Sequence, residues 1–173
     1  MSREGMTNVR RLPALHDGAR KADGFLELVF QPSLRVVELT RRYVEDLYGS
    51  GQDTSGASAA LSITAHELLE NLAKHASPGE ARFSVRVSYD GERPVIAVRT
   101  RNKASADRID KLHKVLAAID AASDPKQHYL ECLKQSRMRE DMALGLVRVR
   151  ADSNLVLSLQ HTRDEVTVMA NSR

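Results

Sequence analysis

Two pairs of short β-rich runs constrain the fold of this chain more than any other feature of its sequence. The runs ARFSVRVSY and PVIAVRT are joined by DGER, and the runs LVLSLQ and VTVMA are joined by HTRDE. Short runs of β-branched and aromatic residues with such brief connections predict two antiparallel hairpins. A fifth run, FLELVF at 25–30, lies between Gly24 and Pro32 and predicts one more strand.

Helical segments separate these strands. Ser33 can cap a helix after the first strand, and apolar residues at helical spacing predict a long helical insert at 105–139, interrupted by SDP at 123–125. The segment MALGLVRVRAD at 142–152 predicts a short helix, although the alternation of Val147 and Val149 also fits a strand. Antiparallel strand pairs with helices on one face predict an α+β two-layer sandwich with a mostly antiparallel sheet.

The composition limits the chain to one domain and narrows its class. With 173 residues, 42% of them hydrophobic, the chain can bury one core, which we place at 25–173. The polar, basic segment 1–24 has no periodicity and predicts a mobile N-terminal arm. No apolar run is long enough for a membrane helix, and Cys132 has no second cysteine to pair with, so we expect a cytoplasmic protein without a membrane.

The stretch ALSITAHELLENLAKHAS at 60–77 concentrates polar side chains on an otherwise apolar helix. Glu67, Asn71 and Lys74 are spaced i, i+4 and i+7, so they share one side of the helix and can reach a common ligand. A solvated polar face is the alternative for such a strip. The opposite, apolar stripe is predicted to pack on the sheet and consists of Leu61, Ala65, Leu68, Leu72 and Ala76.

A zinc site is excluded for this helix. HELLE begins like the HExxH metalloprotease motif, but that motif requires a second histidine four residues after the first. The residue four positions after His66 is Glu70.

HELLENLAKHA resembles the N-box of the Bergerat-fold (GHKL) ATPases, which include gyrase, histidine kinases and mismatch-repair ATPases. Within that superfamily the likeness is strongest to anti-sigma-factor serine kinases and related switch kinases, whose N-box reads like ExxxNxxKH. The order of strands and helices over residues 25–170 also resembles the histidine-kinase-like ATPase fold.

The resemblance implies a role for each matching residue. Glu67 corresponds to the general base, which accepts a proton from water or from the hydroxyl of a partner. Asn71 corresponds to the Mg²⁺ ligand, and Lys74 to a basic position that faces the phosphates of ATP. His75 completes the pattern, with packing or surface exposure as an equally good explanation.

The glycine boxes of the superfamily are degenerate in this chain. The DxGxG box that binds adenine corresponds to Thr100, Asn102 and Ala104, where Thr100 offers a hydroxyl and Asn102 tolerates a left-handed turn. The later GxGL box corresponds to ALGL at 143–146, which keeps Gly145. Gly145 is either a phosphate-binding glycine or a turn glycine.

The resemblance implies a bacterial signalling regulator that binds Mg-ATP and a partner protein such as an anti-sigma antagonist. If active, it transfers the γ-phosphoryl group to a Ser or Thr hydroxyl of that partner. The alternative is a non-catalytic binding module that has lost the nucleotide. Nucleic acid is a weaker candidate ligand, because aromatic residues are only 4% of the chain and the arginines are dispersed. A homodimer through the first strand and helix is a further expectation.

Overall fold

The computed structural model describes residues 8–11, 24–49, 56–136 and 143–173, and this part of the chain contains six strands and five helices. In chain order these are β1 (Asn8–Arg11), β2 (Gly24–Phe30), α1 (Leu34–Gly49), α2 (Ala57–His75), β3 (Ala81–Asp90), β4 (Arg93–Lys103), α3 (Ala106–Ala121), α4 (Pro125–Ser136), α5 (Ala143–Ser153), β5 (Val156–Thr162) and β6 (Glu165–Asn171).

The strands form one antiparallel sheet in the order β1-β2-β3-β4-β6-β5. Side chains alternate along β3, so Phe83 and Val85 are buried while Arg82 and Arg86 are exposed. The buried face packs against the helices in one continuous core, with α2 against β4 and α3 against β5. The α+β two-layer sandwich and both hairpins predicted from the sequence are therefore confirmed.

Helix α2 lies at the centre of the helical layer and contacts α1, α5 and β4. Four residues of its predicted apolar stripe, Leu61, Ala65, Leu68 and Leu72, are buried. The fifth, Ala76, is half-buried and has extended backbone, because the helix ends at His75 just before Pro78.

The helical insert predicted at 105–139 forms two helices, with its last residues, 137–139, outside the described residues. Helix α3 ends before the SDP interruption, and α4 begins at Pro125 after it. Asp124 Oδ1 accepts hydrogen bonds from the backbone N–H groups of Lys126 and Gln127, at 2.9 and 3.1 Å, and so caps α4. The segment for which the sequence fitted either a short helix or a strand is a helix, α5. Its residues Leu146, Val147 and Val149 are all buried.

The N-terminal segment contains one strand that its sequence did not predict. Residues 8–11, NVRR, pair with β2, Asn8 opposite Val29 and Arg11 opposite Leu26. The rest of the predicted arm, 1–7 and 12–23, lies outside the described residues, and Gly24 is the first residue of β2. Four residues with a single apolar side chain, Val9, are too few to show amphipathic alternation, so only their pairing with another strand identifies them as a strand.

Candidate functional site

A cavity lies between α2 and the sheet, with side chains of α3 and α5 along its sides. Its interior volume is about 30 Å³, which is room for ordered water but not for a nucleobase. Most of its lining is apolar, and a few polar side chains converge on it. The lining residues are Leu68, Asn71, Leu72, His75, Thr100, Asn102, Ala104, Arg108, Leu112, Leu146, Val166 and Val168.

Asn71 projects from α2 into this cavity. Its Nδ2 atom is buried and has no hydrogen-bond partner among the described residues. An unpaired buried amide is costly, so its partner is expected to be a ligand or a water molecule. The oxygen and nitrogen of the Asn71 carboxamide exchange places when the group rotates by half a turn. The atom without a partner can therefore also be the carboxamide oxygen.

Thr100 and Asn102 line the same cavity from β4. Thr100 is buried, with 3% of its surface exposed, on the helix-covered face of the sheet. Asn102 donates a hydrogen bond from Nδ2 to the carbonyl of Lys103, at 2.8 Å. Asn102 lies within the strand rather than in a left-handed turn; the non-glycine residues with positive φ in the described chain are Asn154 and Arg163. The fold thus brings together Asn71, Thr100 and Asn102, three of the predicted cofactor-binding residues.

Glu67 lies one turn before Asn71 and forms an ion pair with a residue that the sequence did not identify. Arg148 on α5 donates a hydrogen bond from Nη1 to Glu67 Oε1, at 3.0 Å. The Glu67 side chain is 12% exposed and that of Arg148 is 41% exposed. Burial alone would lower the pKa of Arg148, but hydrogen bonds to Glu67 and Asp152 outweigh it and raise that pKa. In the sequence, the i, i+4 spacing of Arg148 and Asp152 indicates an ion pair within one helix. It gives no indication that Arg148 also contacts Glu67 on α2.

Gly145, in the first turn of α5, lies against the same carboxylate. A Cβ atom added to Gly145 would overlap Glu67 Oε2 and would lie 3.4 Å from Glu67 Cδ. The position is helical and its φ is not positive, so Gly145 is not a turn glycine. Residue 145 has no side chain because the Glu67 carboxylate occupies the adjacent space. This carboxylate lies near the N-terminus of α5, the positive end of its helix dipole.

Lys74, the third residue of the predicted strip, lies away from the cavity lining. Its Nζ is 2.5 Å from Glu70 Oε2, and Glu70 Oε1 is 3.4 Å from His66 Nε2. The hydrogen bond from Lys74 lowers the pKa of Glu70. The three residues of the predicted strip therefore have different surroundings. Glu67 pairs with Arg148, Asn71 faces the cavity, and Lys74 pairs with Glu70.

His75, the last residue of α2, is part of the cavity lining. Arg108 of α3 donates a hydrogen bond to the backbone carbonyl of His75 and links α3 to the end of α2. Burial lowers the pKa of the His75 imidazole, and the positive charges of Arg108 and Lys74 lower it further. The imidazole is thus held in its neutral form beside the cavity.

Comparison with known proteins gives a likeness of fold alone. No protein-family model matches the chain, and no curated protein is similar in sequence. The solved structures include similar α+β sandwiches, and one of these is a chain of the SiaB-SiaC complex from Pseudomonas aeruginosa. It is 19% identical over 83% of this chain and 89% of the other, with a TM-score of 0.62. None of the described helices has the length and apolarity needed to span a bilayer.

Proposed function

We propose that this protein is a signalling regulator that binds Mg-ATP in the cavity between α2 and the sheet and acts on a partner protein as a serine/threonine switch kinase. The observation that carries the proposal is the unpaired, buried amide of Asn71 in that cavity, one helical turn from Glu67. The resemblance of HELLENLAKHA to the N-box and the overall likeness of fold support it.

The proposal assigns each group a distinct task. Asn71 would hold Mg²⁺ through its carboxamide oxygen, a hard donor suited to an ion that also contacts phosphates. Thr100 and Asn102 would contact the base. Lys74 would have to leave Glu70, and the Glu67 side chain would have to leave Gly145, before these two positions could contact the phosphates. ATP, when bound, supplies the γ-phosphoryl group. Glu67 would accept the proton of the partner's hydroxyl, with its carboxylate oriented by Arg148.

Nucleotide binding in this cavity would require a local opening. The interior volume of about 30 Å³ is too small for adenine, and Arg108 and Leu112 of α3 form part of the lining. The side chain of Arg108 would have to move, releasing the carbonyl of His75. An opening of this kind makes the measured affinity weaker than the contacts alone would give.

A protein partner is the second part of the proposal. The structural neighbour was solved as the SiaB-SiaC complex, which supports a partner of the SiaC kind for this chain. Phosphorylation of a hydroxyl on such a partner would make it an anti-sigma antagonist-like switch. Purified SiaC from Pseudomonas aeruginosa, incubated with this protein and labelled Mg-ATP, is a direct probe of that step.

Calorimetric titration of ATP, with and without Mg²⁺, tests the nucleotide site. We expect binding that depends on Mg²⁺ and that Asn71→Ala weakens at least tenfold. Gln160→Ala, which removes an exposed carboxamide on β5, is the matched control and should bind as the unchanged protein does. No heat at millimolar ATP from folded protein would reject the kinase proposal.

The second candidate is a non-catalytic binding module of the same fold. It is favoured by the ion pairs that already engage Glu67 and Lys74 and by the small cavity. In that case Asn71→Ala would leave the affinity for a protein partner unchanged, and neither ATP nor Mg²⁺ would alter it.

A further inference from the structure

We propose that the open face of the sheet docks an extended, acidic segment of a partner protein. Four exposed arginines lie on this face, two on β3 and two on β4, and we call them the arginine face: Arg82, Arg86, Arg99 and Arg101. The helices pack on the opposite face of the sheet. This surface goes beyond the proposed function and does not depend on nucleotide binding.

The arginine face brings like charges together. Arg82 on β3 lies directly opposite Arg101 on β4, and Arg99 lies on the same side of β4, two residues before Arg101. Directly opposed like charges in a sheet are unfavourable. In the free protein Glu80 and Glu165 offset this repulsion, and the carboxylates of an acidic ligand could take their place.

The carboxylates near the arginine face can be exchanged. Arg82 pairs with Glu80 at 3.1 Å and Arg101 pairs with Glu165 at 2.5 Å. All four side chains of these pairs are between 41% and 58% exposed. Exposed pairs of this kind contribute little to stability, so an incoming carboxylate can replace them at little cost.

Arg99 is available to a ligand. Among the described residues, its hydrogen bond goes to Met169 Sδ at 3.5 Å, and a thioether is a weak acceptor. Its guanidinium can therefore take a carboxylate without first releasing one.

The spacing of the arginines suits an extended peptide. Arg99 and Arg101 are two residues apart on one strand, which corresponds to roughly 7 Å. Alternate side chains of an extended peptide repeat at the same distance, so a segment with an acidic residue at every second position can pair with both. Nucleic acid fits less well, because Phe25, the aromatic residue that faces this cluster, already has the guanidinium of Arg86 over its ring at 5.4 Å.

Fluorescence anisotropy with a labelled peptide of alternating Glu and Thr tests the proposal on the full chain. We expect binding that weakens as salt is raised. The double variant R99Q/R101Q should bind about tenfold more weakly, a loss of roughly 1.4 kcal/mol. Both substitutions are at exposed positions, and a thermal melt would establish that the variant is folded.

The matched control is R35Q/R42Q, which removes the same charge from exposed positions on α1. The control should bind as the unchanged protein does. An equal loss in the control would overturn the proposal, because it would reduce the effect to net charge. Absence of binding by the unchanged protein would also overturn it, as would tighter binding of oligouridine than of the peptide, which would make this a nucleic-acid surface.

Discussion

At the scale of single residues, the contact between Gly145 and Glu67 is the most restrictive feature of the candidate site. The two residues are distant in sequence, but no atom fits between the Glu67 carboxylate and the backbone of α5. Arg148 fixes the other oxygen of the same carboxylate. Gly145 and Arg148, both on α5, thus determine the orientation of the Glu67 side chain on α2.

Gly145→Ala should destabilise the protein by about 1 kcal/mol, because the added methyl group displaces the end of the Glu67 side chain from its ion pair with Arg148. In a Glu67→Ala background the same change should be neutral or stabilising, since alanine is favoured over glycine in a helix by about 1 kcal/mol. Urea unfolding of the four proteins in this double-mutant cycle measures the difference. Equal effects in both backgrounds would contradict the contact.

His75 should make stability fall with acid. Its pKa is lower in the folded protein, so below about pH 6.5 the unfolded chain takes up a proton first. The free energy of unfolding therefore decreases from about pH 6.5 down to the folded pKa of His75. His75→Gln should flatten the decline in this window, as measured by urea unfolding across a pH series.

The control for His75 is Gln160→Ala, which changes an exposed side chain on β5 that does not titrate. This variant should keep the pH dependence of the unchanged protein in the same window. If His75→Gln and the unchanged protein lost stability in parallel as the pH fell, His75 would not be the group responsible.

At the scale of elements, α2 connects the layers of the sandwich. It contacts α1 and α5 within the helical layer and β4 in the sheet. Leu69 has no exposed surface and lies among these contacts, while its neighbour Glu70 remains at the surface. One helix therefore supplies both the central packing and the side chains of the candidate site.

Leu69→Ala should lower the free energy of unfolding by about 2–5 kcal/mol, because it removes buried methyl groups and leaves a cavity. Leu130→Ala makes the same chemical change at a residue of α4 that is 50% exposed, and should cost less than about 1 kcal/mol. Urea unfolding of both variants makes the comparison. Similar losses would mean that α2 is not central to the core.

The hairpins, α2 and the two-helix insert were predictable because their signals are local. The spacing of apolar residues and the turn residues between runs are both contained in short windows of sequence. Arg148 and β1 were not predictable, because each depends on a contact with a distant element. The resemblance marked Gly145, but its actual neighbour, Glu67, is visible only in the folded chain.

At the scale of the whole molecule, one buried cluster within the described residues joins residues of α1, α2, α3, α5 and strands β2 to β6, and Tyr129 and Cys132 of α4 pack against it half-buried. A single core of this kind is expected to unfold as a unit. The likeness to the solved sandwich covers 83% of the chain.

Unfolding should therefore be a single transition reported equally by different probes. Tyr43 on α1 and Tyr129 on α4 pack against the core, and their fluorescence should change together with the far-ultraviolet circular dichroism. Urea titration followed by both signals measures this. Two separate midpoints would mean that the molecule does not unfold as one unit.

The contact between Gly145 and Glu67 also has an evolutionary consequence. A larger residue at position 145 requires the end of the Glu67 side chain to move, or position 67 to carry a shorter side chain. In related chains we expect the two positions to covary. Glycine at position 145 would be more frequent where position 67 is glutamate than where position 67 is a shorter residue.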